Sequence, residues 1–119
     1  MSDVRTATAL VPAARTEGDA LVMAVRGEID LHNSPELRTE LLDLLAKYSP
    51  KRLVLNLREV PYMDSSAIAV LVEALQKVRK AGGKVLLTDL QPRVKSLLDI
   101  ARLGSIFVLC TDEAEAMGK

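Results

Sequence analysis

The chain has 119 residues, a length typical of one domain. Hydrophobic residues make up 49% of it and charged residues 27%, a composition that supports a buried core and argues against disorder. Sixteen basic and sixteen acidic residues give a formal net charge of zero, which argues against direct electrostatic binding to nucleic acid or to an anionic membrane. We therefore expect one domain over residues 1–119 that neither binds nucleic acid directly nor inserts into a membrane.

The single cysteine and the single histidine restrict the possible chemistry. Cys110 has no second cysteine for a disulfide or a zinc site, so we expect its side chain to be buried as a small hydrophobic group. A lone cysteine also fits a protein in a reducing compartment. His32 likewise lacks a second histidine for a metal cluster. The chain shows neither a signal-peptide pattern nor an apolar run of about 20 residues. These features predict a cytoplasmic protein without cofactor, metal or small-molecule substrate.

The first two predicted elements are strands. The small apolar segment Thr8–Ala14 contains Pro12, which suits an edge strand. A turn at Glu17–Asp19 separates it from the apolar segment Ala20–Arg26, so the two strands can pair as a hairpin.

The rest of the chain alternates helices with strands. A helix over Ser34–Tyr48 is predicted from leucines at helical spacing, with Ser34 as N-cap and Pro35 at the first helical position. The later elements are a strand over Arg52–Leu57 with one buried face, a helix over Ser65–Ala81 capped by Asp64 and ended by Gly82-Gly83, a strand over Lys84–Thr88, a helix from Pro92 closed by Gly104, a strand over Ile106–Cys110, and a short C-terminal helix capped by Thr111. Strands separated by such helices are usually parallel. We therefore predict an α/β fold, with a mixed sheet and about four helices.

The segment from Tyr62 to Ala67 is the most informative one for function. It lies between a predicted strand and a predicted helix, where open α/β sheets expose functional groups. Ser65 and Ser66 would occupy the first helical turn, whose unpaired amides and positive dipole stabilise an anion by roughly 0.3–2 kcal/mol. A hydroxyl there is a suitable phosphate acceptor, although Asp64 would repel the phosphate. The alternative interpretation is a helix cap with no further role.

A hydrolase is not favoured. His32 and a serine are present, but a nucleophile also needs an orienting group and an oxyanion site. The Gly-x-Ser-x-Gly elbow is absent from the sequence. We therefore expect that the protein is not an enzyme.

Three blocks of sequence together resemble a known family. They are Gly27–Asp30 followed by Ser34–Leu37, the strand Leu53–Leu57 leading to Met63–Ser66, and the strand entry Gly82–Val85. In these blocks the chain resembles the STAS domain, specifically the bacterial anti-sigma factor antagonists, over roughly residues 20–115.

The resemblance implies a phosphorylation switch. Ser65 would be phosphorylated by a partner anti-sigma factor that is a serine kinase, Asp64 would orient its hydroxyl, and Ser66 would be the neighbouring hydroxyl position. In this family the unphosphorylated antagonist binds the anti-sigma factor and releases the sigma factor. The alternatives are a STAS subunit of a membrane transport complex, bound to its ATPase, or a signalling scaffold, neither of them switched by phosphate.

The resemblance also places the loop Gly27–Asn33 on the same rim as Ser65. Residues expected to contact the partner are Glu28, Asp30, His32, Asn33 and Ala67. The alternative for Asp30 and Asn33 is that they bond the amides of their own loop. Ala67 stands where the family usually has Gly, so its methyl group either alters docking or is only a helix residue, and the second interpretation is favoured because position 67 lies inside the predicted helix.

Overall fold

In the computed structural model, which describes residues 2–3 and 8–119, the strands form one mixed sheet. Its described strands lie side by side in chain order, antiparallel from β1 to β3 and parallel from β3 to β6. The elements are β1 Ser2–Asp3, β2 Ala13–Glu17, β3 Ala20–Arg26, α1 Ser34–Tyr48, β4 Arg52–Glu59, α2 Ser65–Lys80, β5 Lys84–Thr88, α3 Pro92–Ile100, β6 Val108–Cys110 and α4 Glu113–Met117. The predicted α/β fold with a mixed sheet and four helices is confirmed.

The main hydrophobic core lies on one side of the sheet, beneath α1, α2 and α3. The leucine stripe of α1 and the apolar stripe of α2 face the inward side chains of β4, among them Leu55 and Leu57. Val54 on the other side of β4 is also fully buried, so the prediction of one buried face for this strand was incomplete. The outer side of the sheet has its own smaller cluster.

The predicted N-terminal hairpin is confirmed, but its first strand lies later in the sequence than predicted. The strand covers Ala13–Glu17 and not Thr8–Ala14. Thr8 and Val11 instead form a turn, because the Thr8 amide donates to the Val11 carbonyl and the Val11 amide donates to the Thr8 hydroxyl. These hydrogen bonds satisfy the backbone without strand pairing.

The N-cap of α1 is Asn33, so the prediction of Ser34 was wrong by one residue. Ser34 is the first helical residue, is buried, and is followed by Pro35 in the first turn. The cap residue makes no side-chain bond to its own helix, because its amide group is used within the preceding loop.

The last two helices also differ from prediction at their ends. Helix α3 ends at Ile100 and not at Gly104, because Arg102 adopts a left-handed conformation (φ 59°) and the chain leaves the helix there. The cap of α4 is Asp112, whose carboxylate accepts a bond from the Glu115 amide, so the prediction of Thr111 as cap was wrong.

Helix α4 covers part of the outer side of the sheet. Ala116 and the buried Cys110 pack there against residues of β3, β4 and β5, so the prediction of a buried cysteine is confirmed. Burial raises the pKa of the Cys110 thiol. Glu113 fixes the helix start, because its carboxylate accepts bonds from Arg15 at 2.9 Å and from Asn56 at 2.7 Å.

We expect the stabilising effect of Glu113 to depend on pH. Partial burial pushes its pKa up, but the bonds from Asn56 and Arg15 outweigh this and leave the pKa below the ordinary 4.5. The contribution is therefore present above that ordinary value and is lost as pH falls through the lower, folded-state pKa. Glu113→Gln should cost about 1 kcal/mol of unfolding free energy near neutral pH.

Denaturant unfolding of wild type and of Glu113→Gln from about pH 7 to about pH 3 checks this expectation. The matched control is Glu115→Gln, which removes an exposed carboxylate from the same helix. A Glu113→Gln deficit that stays constant across this pH range would contradict the interpretation.

Candidate functional site

A short parallel bridge joins the loop before α1 to the segment before α2. The Ile29 amide donates to the Tyr62 carbonyl at 3.0 Å, and the Asp64 amide donates to the Ile29 carbonyl at 3.1 Å. Ile29 and Met63 are both buried at this point. The loop over residues 27–33 therefore lies directly beside the start of α2.

Asp64 caps α2 as predicted and also binds the neighbouring loop. Its Oδ1 accepts bonds from the Ser66 amide at 2.9 Å and from the Ser66 hydroxyl at 2.5 Å, and its Oδ2 accepts from the Leu31 amide at 3.2 Å. These bonds, chiefly that from the Ser66 hydroxyl, lower the pKa of Asp64. The carboxylate is thus a fixed anion between the helix and the loop.

The two serines differ in what their hydroxyl groups do. Ser66 is half-buried, and its hydroxyl bonds the Asp64 carboxylate, whereas the resemblance implied that Asp64 orients the Ser65 hydroxyl. Ser65 is exposed at the first position of α2, and its hydroxyl makes no hydrogen bond to any residue that the structure describes. Ser65 therefore presents the accessible and unoccupied hydroxyl of the pair.

The loop side chains divide into two groups. Asp30 and Asn33 bond their own loop: Asp30 accepts from the His32 amide at 2.9 Å, and Asn33 bonds the Asp30 amide and the Glu28 carbonyl. This is the local role that the sequence left open as an alternative. The side chains of Glu28 and His32 are exposed and remain available for contact with a partner.

Ala67 lies under the start of α2 with no exposed surface. Its methyl group packs in the main core, so a protein docking on the intact domain meets the neighbours of Ala67 first. This placement favours its interpretation as a helix residue.

The structure also shows a groove that the sequence did not indicate. The groove has a volume of about 460 Å³ and runs between the start of α2 and the length of α3. Its lining residues are Tyr62, Met63, Asp64, Ser65, Pro92, Arg93, Ser96, Leu97 and Ile100. The Arg93 guanidinium lies 4.6 Å from the centre of the Tyr62 ring, a cation–π contact. Asp64 and Arg93 are the charged residues of this lining, one of each sign.

Two large apolar side chains are exposed on the rim. Ile100 is 79% exposed and lines the groove, and Leu31 is 73% exposed beside Asp64 on the loop side. Ser65 lines the same groove as Ile100. It also follows Asp64, whose carboxylate accepts the hydrogen bond from the Leu31 amide. Both exposed apolar side chains offer contact area to a docking protein.

Known proteins match this chain over most of its length. The STAS domain family model matches residues 11–116. The anti-sigma-B factor antagonist of Bacillus subtilis is 37% identical over 82 residues, which cover 69% of this chain and 73% of that protein. The anti-sigma F factor antagonist of Paenibacillus polymyxa is 28% identical over 97 residues, covering 82% and 83%.

A solved structure shares the fold. The anti-sigma factor antagonist SpoIIAA in its unphosphorylated form superposes with a TM-score of 0.73 at 19% identity, covering 85% of this chain and 89% of that one. In the part of the chain that is described, no helix is both long and apolar enough to cross a membrane. On the match over residues 11–116 and the 37% identity, the chain belongs to the STAS domain family and is similar to its anti-sigma factor antagonists.

Proposed function

We propose that this protein is an anti-sigma factor antagonist that is switched off by phosphorylation of Ser65. In this proposal the unphosphorylated form binds an anti-sigma factor with serine kinase activity and thereby releases the sigma factor. The observation that carries the proposal is the exposed Ser65 hydroxyl, which has no hydrogen-bond partner among the described residues while that of Ser66 is occupied. The protein itself acts by binding, in the cytoplasm, and not as an enzyme.

The start of α2 is suited to the product of this reaction. The kinase would transfer the terminal phosphoryl group of ATP to the Ser65 oxygen, with loss of the hydroxyl proton. The phosphoserine would carry about −1.5 to −2 charges at the positive end of the α2 dipole, which stabilises an anion. The helix should therefore stay folded, so the modification acts on binding and not on the fold.

The surface around Ser65 supports the binding part of the proposal. Leu31 and Ile100 offer apolar contact area, while the exposed side chains of Glu28 and His32 add polar groups on the loop side. A phosphate among these residues would have to lose its water on docking, next to the Asp64 carboxylate.

The relatives that match over most of their own length favour this role over the other two considered. The antagonists from Bacillus subtilis and Paenibacillus polymyxa match over 73% and 83% of their own length, so each consists largely of this one domain. A transport-complex subunit or a signalling scaffold would share the fold, so the fold alone does not distinguish these three functions.

Mapping the phosphate tests the proposal. After incubation with ATP and the anti-sigma factor of the same organism, we expect one added phosphate on wild type and on Ser66→Ala, and none on Ser65→Ala. Intact mass gives the number of phosphates, and fragmentation mass spectrometry gives their position. Phosphate retained in Ser65→Ala and lost in Ser66→Ala would overturn the assignment.

A further inference from the structure

The groove beside Ser65 contains a cation without an acidic partner. Arg93 lies in the first turn of α3, is exposed, and forms no ion pair with any side chain over residues 8–119. Five other arginines do pair with a carboxylate: Arg15, Arg26, Arg38, Arg52 and Arg58. The only ring contact of Arg93 in the described structure is with Tyr62.

Arg93 and Ser65 line the same groove. Tyr62, whose ring the guanidinium contacts, precedes Ser65 in the same short segment. The long arginine side chain is exposed and can change rotamer without disturbing the core.

We propose that Arg93 binds the phosphate on Ser65 of the same chain: the guanidinium leaves the Tyr62 ring and forms a bidentate ion pair with the phosphoserine. The inference rests on the proposed phosphorylation of Ser65. The planar guanidinium matches two phosphate oxygens, and such charge-assisted bonds are stronger than an exposed cation–π contact. Of the two charged residues of the groove, Asp64 repels this phosphate and Arg93 attracts it.

This ion pair changes the docking surface in two ways at once. Phosphorylation would add an anion at Ser65 and would also withdraw the Arg93 cation from a partner. The Tyr62 face, now covered by the guanidinium, would become exposed. The off state would therefore differ from the on state across the groove and not only at one side chain.

The test uses the full-length protein with phosphoserine incorporated at position 65 during synthesis. Phosphorus NMR follows the second ionisation of the phosphate as pH is varied. We expect Arg93→Gln to raise the pKa of this phosphate by about half a unit or more, because the nearby cation favours the dianion. Arg93→Lys should give an intermediate pKa, since it keeps the charge and loses the bidentate geometry.

The matched control is Lys95→Gln, which removes the same charge from the same helix but not from the groove lining. Lys95→Gln should leave the phosphate pKa unchanged. A pKa in Arg93→Gln equal to that of wild type, or an equal shift in both variants, would overturn the inference. Because the phosphoserine is incorporated and not transferred by a kinase, this outcome is independent of whether Ser65 is the natural phosphorylation site.

Discussion

Ser65→Asp should bind the anti-sigma factor roughly a hundredfold more weakly than wild type, a loss of about 3 kcal/mol. Ser65→Ala should bind as the unphosphorylated protein does, and should keep binding in the presence of ATP. The reason is that the aspartate places a second carboxylate beside Asp64, and docking would have to desolvate it without a matching cation on the partner. The neutral methyl group of the alanine carries no such penalty.

Titration calorimetry measures these affinities, and circular dichroism checks that the variants stay folded. Ser105→Asp is the control, because it adds the same charge at another exposed serine outside the groove. That variant should keep nearly wild-type affinity. Equal affinities for Ser65→Asp and wild type would rule out a charge-based switch at this position.

The largest change in stability is expected at the junction of α2 and β5, for Gly83→Ala. A Cβ atom at Gly83 would lie 2.5 Å from the Lys51 carbonyl oxygen and 2.8 Å from the Val78 side chain. The Lys51 carbonyl cannot move away without cost, because it accepts the hydrogen bond from the Lys84 amide at the start of β5. We expect a loss of about 1–3 kcal/mol of unfolding free energy, the usual cost of overpacking.

Gly104→Ala is the matched control for this substitution. A Cβ atom there would meet its nearest neighbour at 3.6 Å, an ordinary contact, so the change should be nearly neutral. Denaturant unfolding of the two variants gives the comparison. A loss at position 83 no larger than that at position 104 would show that the backbone adjusts at little cost.

The sequence allowed most of the regular elements to be predicted, because apolar spacing determines which face of each element is buried. The predicted bounds of Ala20–Arg26, Ser34–Tyr48 and Lys84–Thr88 agree with the structure. The errors lie at element ends, where tertiary contacts decide. Asn33 caps α1 because the loop hydrogen bonds fix where the helix begins, and no local pattern distinguishes Asn33 from Ser34.

The candidate site was predictable only where it is local in sequence. The cap Asp64 and the two serines follow from one short segment, and the structure adds that Asp64 bonds Ser66 and the Leu31 amide. The contact of Arg93 with Tyr62 joins two distant segments, and it depends on how α3 packs beside α2. Nothing in the spacing of a single sequence indicates such a pair.

The contact of Tyr62 with the Arg93 guanidinium makes tyrosine fluorescence a suitable probe of the groove. The chain has no tryptophan and only two tyrosines, so its near-ultraviolet emission comes from Tyr48 and Tyr62. Tyr48 lies at the far end of α1, away from the groove, and provides a constant background. Tyr62 lies beneath a guanidinium beside the candidate phosphorylation site, so its emission responds to whatever moves that group. A Tyr48→Phe variant would turn the unlabelled domain into a single-fluorophore sensor.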